Sequence, residues 1–310
     1  MLIILSKMAA LIACGTVWRI ISPGKLEPEL VRKSLGDLVY FLLLPALVLK
    51  VLWQAPLGID SLHIAGLAMS GVIIGGGITA LLCFFLKLPK HIGGALILAS
   101  AFPNATYLGL PVLQATLGNW TQVFAIQYDL FATTPMLLTL GVIMAQYCGG
   151  QKSENSILAG LMRVPALWAA LIAVILNIFS VPFPQVLEEW LGLLAAGVSL
   201  LMLISLGMSL FLPEDSVKSL GYIMIVVVVQ LMIVPIGVWW FGGQLGVEQK
   251  ILTVIVLEAA MPSMLLGLVI CDRFGLHTKT FALAVTITTV LSMLTLPIWF
   301  SILHAQQFRM

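Results

Sequence analysis

Glu258 lies four residues before Pro262 inside a long apolar run, and Asp129 sits in the middle of another. No lysine or arginine falls at a comparable depth in either run. A carboxylate at the centre of a bilayer costs ~2.5–3.5 kcal/mol on insertion scales, so one that is kept there has a partner or a task. Two tasks fit these groups. Each carboxyl is held protonated, or it binds a cation together with nearby oxygens, for which Asn104, Thr133 and Thr134 are candidates. Glu258, Asp129, Asn104 and Thr133 are therefore expected to form a coupling-ion site for Na⁺ or H⁺. The competing reading for each carboxyl is a neutral, hydrogen-bonded structural group. Tyr128-Asp129 also raises an enzymatic alternative, an intramembrane aspartyl protease. That chemistry needs a second membrane aspartate and a Gly-x-Gly-Asp step, and the sequence has neither. No enzyme activity and no organic cofactor are expected, and no metal beyond a Na⁺ ion.

A second set of residues surrounds two prolines half a chain apart. Residues 95–118 read ALILASAFPNATYLGLPVLQATLG, and residues 253–275 read TVIVLEAAMPSMLLGLVICDRFG. Aligning Pro103 with Pro262 brings Gly109 to Gly267 with a one-residue gap, and Gly118 to Gly275. A proline inside a helix removes a hydrogen bond and clashes with the preceding turn. In lipid the freed backbone groups survive only against protein or a water-filled cavity. Interrupted helices at corresponding places in two halves point to a transporter's midplane site. Their broken ends offer helix N-termini that suit an anion. The predicted anionic substrate is accordingly placed at Pro103, Asn104, Thr106, Pro262 and Ser263. Gly109 and Gly267 would let backbone approach it closely, with plain helix packing as their alternative role.

The elements that must hold these residues follow from composition. Of 310 residues, 61% are hydrophobic and 9% charged, with a mean hydropathy of +1.12. A water-facing shell needs roughly a quarter of residues charged, so the chain belongs in a bilayer. Net charge is +2, and no run of like charges suits nucleic acid. Apolar stretches long enough to span recur at Leu2–Ile21, Leu35–Trp53, Ile64–Leu86, Gly93–Leu117, Gln122–Tyr147, Ile157–Val181, Leu191–Leu212, Leu220–Phe241, Ile251–Phe274 and Phe281–His304. The predicted fold is an all-α membrane protein of ten transmembrane helices. It forms one domain over 1–310, with repeats at 1–148 and 156–310. Five spans per half is an odd number, so the second half is inverted relative to the first. With the N-terminus outside, cytoplasmic loops carry eleven lysines and arginines and the outer side four, Lys7, Lys50, Lys250 and Arg309. That asymmetry predicts a multi-pass plasma-membrane protein with both termini outside.

The same residues resemble the auxin efflux carrier family, which includes plant auxin exporters and bacterial malate and malonate permeases. The resemblance is carried by the stretch Phe102–Pro111 and by Ala259–Ser263. Leu44-Pro45-Ala46-Leu47, Tyr128-Asp129-Leu130 and Leu294-Thr295-Leu296-Pro297 extend it over essentially the whole chain. It implies a ten-helix fold like that of bile-acid symporters and sodium/proton antiporters. There the fourth and ninth helices are broken and cross near the substrate, and a scaffold moves against this core. It implies a homodimer as well, which no sequence feature decides. Only Gly149–Asn155 separates the fifth and sixth spans, as in a compact prokaryotic form without a large cytosolic loop, so the resemblance implies the bacterial inner membrane. The function that follows is secondary active transport of a small organic anion such as malate, malonate or an auxin-like acid, by alternating access. An uncoupled carrier or a channel is the alternative.

Other residues read as structural. Lys7 and Lys50 lie near span ends and are expected to snorkel to headgroups, although either can attract an anion at the mouth. Gln230, mid-span, is expected to bond between helices. Six tryptophans near span ends suit an aromatic belt. His91 and His277 lie in loops and receive no role. The four scattered cysteines are read as small hydrophobes. Leu11-Ile12-Ala13-Cys14-Gly15 imitates a lipoprotein cleavage box, but without a positive segment before it the stretch is expected to stay as the first membrane helix.

Overall fold

The computed structural model describes residues 2–23, 26–150, 162–210 and 216–307. Lys25, Lys152, Arg309, the Pro213-Glu214-Asp215 turn and the beginning of the span predicted from Ile157 lie outside them. The described chain is nearly all helix. In order come α1 (Leu2–Ile21), α2 (Pro28–Trp53) and α3 (Ile59–Phe85). The fourth predicted span is in two pieces, α4 (Lys90–Ala101) and α5 (105–117). Then follow α6 (Asn119–Gly149), α7 (Pro165–Ile178), α8 (Gln185–Ser209) and α9 (216–244). The ninth predicted span is likewise divided, into α10 (Gln249–Ala259) and α11 (Leu266–Phe274), and α12 (Thr278–Gln307) closes the order.

Among the described residues, α2, α3, α6, α8, α9 and α12 are each long and apolar enough to cross a membrane. The outward faces agree with that setting. Ile20, Phe84, Phe85, Val186 and Leu193 are all strongly exposed, an arrangement that water disfavours and lipid accepts. The chain is thus an all-α membrane protein. Its helices pack as two groups: α1, α2, α7 and α8 lie against one another, and α3, α4, α6, α9, α10 and α12 form the other.

Helix starts shifted most from the sequence expectation. α2 begins at Pro28 rather than Leu35, because a proline in the first turn loses no hydrogen bond it would otherwise make. Internal prolines are handled differently. Pro45, Pro111, Pro135 and Pro235 each follow a five-residue π turn, at Val39–Leu43, Ala105–Gly109, Asp129–Thr133 and Val229–Ile233. In every case the residue before the proline donates its N–H to the carbonyl five residues back, as Leu110 does to Ala105 and Thr134 to Asp129. The wide turn keeps the backbone paired where proline would otherwise leave a gap. Three of these turns flank the groups discussed next.

Candidate functional site

Two chain breaks meet at the centre of the molecule. Phe102 leaves α4 in an extended conformation, and the chain stays non-helical until the π turn at Ala105. The second break runs from the end of α10 at Ala259 to the start of α11 at Leu266. They pair as a minimal antiparallel bridge between Pro103 and Ser263. Asn104 donates its N–H to the Pro262 carbonyl at 2.7 Å, and Met264 donates to the Phe102 carbonyl at 2.9 Å. Pro103 and Pro262 have no N–H to lose at this point. The crossing therefore satisfies its own backbone where neither water nor a helix ladder can.

Glu258 ends one turn before that crossing and is fully buried. Its carboxyl lies directly against Gly109, where a Cβ would overlap the carboxylate oxygens. Among the described residues neither Glu258 oxygen has a hydrogen-bond partner, and the same holds for the Tyr128 hydroxyl, the Gln127 carboxamide and Gln230 Oε1. Tyr128 and Asp129 are the charged or titratable neighbours within electrostatic reach of Glu258. No basic group forms an ion pair with either carboxylate among the described residues. Such an oxygen-rich, uncompensated set suits a proton on Glu258 or a hard cation of the Na⁺ type.

Asp129 is also buried but is well partnered. Thr106 donates to Oδ2, and Thr134 donates to Oδ1 at 2.9 Å. Thr133, expected beside the carboxylates, instead turns its hydroxyl to the Tyr128 carbonyl at 3.1 Å. The π turn sets that difference: it aims Thr134 rather than Thr133 at the aspartate. Asn104 caps the π turn of α5 by accepting from the Tyr107 N–H at 3.2 Å, and its Nδ2 has no partner among the described residues. Ser263 is fully buried. Its N–H donates to Thr288 Oγ1 at 3.2 Å and its hydroxyl lies at the same distance from that oxygen. Gly267 packs under the Phe281 ring, a helix-packing contact.

Gln230 has a more specific position than a general contact between helices. Its Nε2 donates to the carbonyls of Ala259 and Met261, at 3.2 and 2.9 Å, and so closes the open end of α10 beside Glu258. Gln230→Leu is expected to lower the thermal midpoint of the detergent-solubilised protein, because stranding buried carbonyls costs ~1–3 kcal/mol. An unchanged melting curve would mean that the amide does not hold this end.

A cavity of about 280 Å³ reaches this crossing from one side. Asn104, Thr106, Tyr107 and Asp129 form its inner end, Tyr40 and Leu44 of α2 one wall, and Arg163 and Arg273 lie toward its mouth. A second cavity of about 770 Å³ opens at the opposite ends of α2 and α6, among Lys7, Lys50, Gln114 and Gln122. Both lie along the seam between the two helix groups. Glu258, Pro103, Pro262 and Ser263 line neither. Sequence reasoning placed Arg163 and Arg273 in loops and missed them as wall residues. It noted Tyr128 only beside Asp129 and gave it no role in the site, and it passed over Gln127. A mid-span amide or a tyrosine next to an aspartate is the only signal it had.

The comparisons with known proteins address this arrangement as a whole. A family model described as "Membrane transport protein" matches residues 21–300. The chain belongs to this family, that of the auxin efflux carriers. An uncharacterized transporter of Methanothermobacter thermautotrophicus is 30% identical over 271 residues, covering 86% of this chain and 87% of the relative. An uncharacterized transporter of Methanocaldococcus jannaschii is 27% identical over 222 residues, 69% of each chain. The uncharacterized transporter YfdV of Escherichia coli is 22% identical over 207 residues, 65% of each. Membership in this carrier family makes the protein a multi-pass membrane transporter. Both breaks, both buried carboxylates and the first cavity fall within the matched residues, as does the second cavity apart from Lys7, Met8 and Leu11.

Proposed function

We propose that the protein is a secondary active transporter for a small organic carboxylate, coupled to Na⁺ or H⁺ and working by alternating access. Taking α4 with α5 and α10 with α11 as one broken span each gives ten spans, five in each inverted half. The observation that carries the reading is the cavity in the seam between the two helix groups, which ends on Asn104, Thr106 and Asp129 beside the crossed breaks. A rocking of one group on the other closes this cavity and extends the opposite one to the crossing without moving it, which is the geometry alternating access needs. The substrate carboxylate accepts from the free Asn104 amide, and Arg163 and Arg273 draw it in from the cytoplasmic side. The coupling ion sits at Glu258, with Asp129 as its charged neighbour. Both termini lie outside, in the plasma membrane.

The test is counterflow of labelled malate in proteoliposomes, with and without a Na⁺ gradient at fixed pH. Saturable exchange accelerated by Na⁺ supports a sodium-coupled carrier, and exchange stimulated only by a pH gradient supports proton coupling. Flux that neither saturates nor shows counterflow would make the protein a channel. Asn104→Ala is expected to weaken substrate binding about tenfold, the loss of ~1.4 kcal/mol that one charge-assisted hydrogen bond represents. An unaltered half-saturation concentration would remove Asn104 from the substrate site.

A further inference from the structure

The cavity at the far end of the seam is also built to hold an anion, and we infer that it is a second anion-binding site formed by Lys7 and Lys50. The inference does not depend on the transport reading. Lys7 comes from α1 and Lys50 from the last turn of α2, and both line the same cavity of about 770 Å³. That volume falls within the usual range for small-molecule sites. Among the described residues no aspartate or glutamate lines it, and neither lysine forms an ion pair. The remaining polar wall is made of hydrogen-bonding side chains: Gln114, Asn119, Gln122 and Ser199.

Two details separate this arrangement from lysines that merely snorkel to headgroups. The Lys50 ammonium is seated against Gly192 of α8, 2.7 Å from where a Cβ would stand there. A side chain reaching for lipid would turn outward; this one lies across the neighbouring helix, inside the cavity wall. Gln114 Nε2 donates to Asn119 Oδ1 at 2.9 Å, which uses the acceptor of Asn119 and leaves its Nδ2 as a donor. Two ammonium groups and an oriented amide donor on one cavity suit a ligand that carries more than one negatively charged oxygen group. The ligand class is therefore a small dianion bearing carboxylate or phosphate oxygens, whether a free solute or the phosphate of an anionic lipid.

The experiment reads lysine chemistry rather than transport. The protein is reconstituted in phosphatidylcholine nanodiscs, which leave both faces open to solvent, and acetylated with a water-soluble amine reagent, with succinate titrated against sodium chloride of equal ionic strength. Peptide mass spectrometry then follows Lys7 and Lys50, with exposed Lys87 as the internal reference. Succinate is expected to slow acetylation of Lys50 at least fivefold and leave Lys87 unchanged. Gly192→Ala, which displaces the Lys50 ammonium while favouring the helix, should abolish most of that protection. A second arm replaces part of the phosphatidylcholine by phosphatidylglycerol without succinate. Protection in the first arm identifies a soluble anion, and protection in the second alone identifies a lipid phosphate as the occupant. No protection of Lys50 in either arm, or equal protection of Lys87, overturns the site.

Discussion

Glu258→Gln is expected to leave a folded protein that still exchanges substrate but no longer concentrates it. The substitution keeps the volume and removes the ionisable oxygen from a position that is completely buried and has no hydrogen-bond partner among the described residues. A glutamine cannot carry a proton across or neutralise a cation, so the ion and substrate movements part. A tenfold gradient of the coupling ion is worth ~1.4 kcal/mol and sustains about tenfold accumulation. In the variant the accumulation ratio should fall to roughly one, while counterflow without a gradient continues. Because the amide avoids an uncompensated charge in the membrane, the variant should melt at or above the temperature of the parent protein. Accumulation equal to that of the parent would show that Glu258 is structural and that the coupling ion is held elsewhere.

The second large effect concerns Gly109. Its Cα stands where the Glu258 carboxyl passes, and an added methyl group would overlap both carboxylate oxygens. Gly109→Ala should therefore push the carboxyl out of its place and stop gradient-driven uptake, besides an overpacking cost of ~1–3 kcal/mol. The decisive measurement is the double substitution. Glu258→Asp shortens the acid by one methylene and gives back the space, so Gly109→Ala with Glu258→Asp should melt higher than Gly109→Ala alone. Neighbouring residues that share one space couple by ~0.5–3 kcal/mol in such a cycle. Strict additivity of the two substitutions would place the acid away from the glycine and undo this account of the site.

These two residues also show how far the sequence reading went. A glutamate four residues before a proline in an apolar run is visible as an anomaly, because charge in lipid is costly wherever the rest of the chain lies. Gly109 was visible as a small residue in a repeat, read as room for the substrate or for helix packing. Nothing local says that its empty side is filled by a carboxyl almost 150 residues away. Thr133 and Thr134 show the same limit at shorter range. A regular helix and a π turn aim adjacent threonines differently, and only the observed turn puts Thr134 on Asp129 and Thr133 on a backbone carbonyl. Gln230 was legible as a bonding residue but not as the cap on the end of α10.

The sequence by itself determined the membrane class, the positions of both breaks and the two buried acids. Each of these follows from a local cost: apolar length against bilayer thickness, a proline without an N–H, or a carboxylate without water. Tertiary structure decided what those breaks and acids meet. It paired Pro103 with Ser263, set Glu258 on Gly109, and gave Asp129 its two threonines. It also drew Arg163 and Arg273 to one cavity and Lys7 and Lys50 to another. The reason is physical. The cost of burying a polar group is written in the residue and its neighbours in sequence, but the group that offsets it comes from wherever the packing of helices brings a complementary atom.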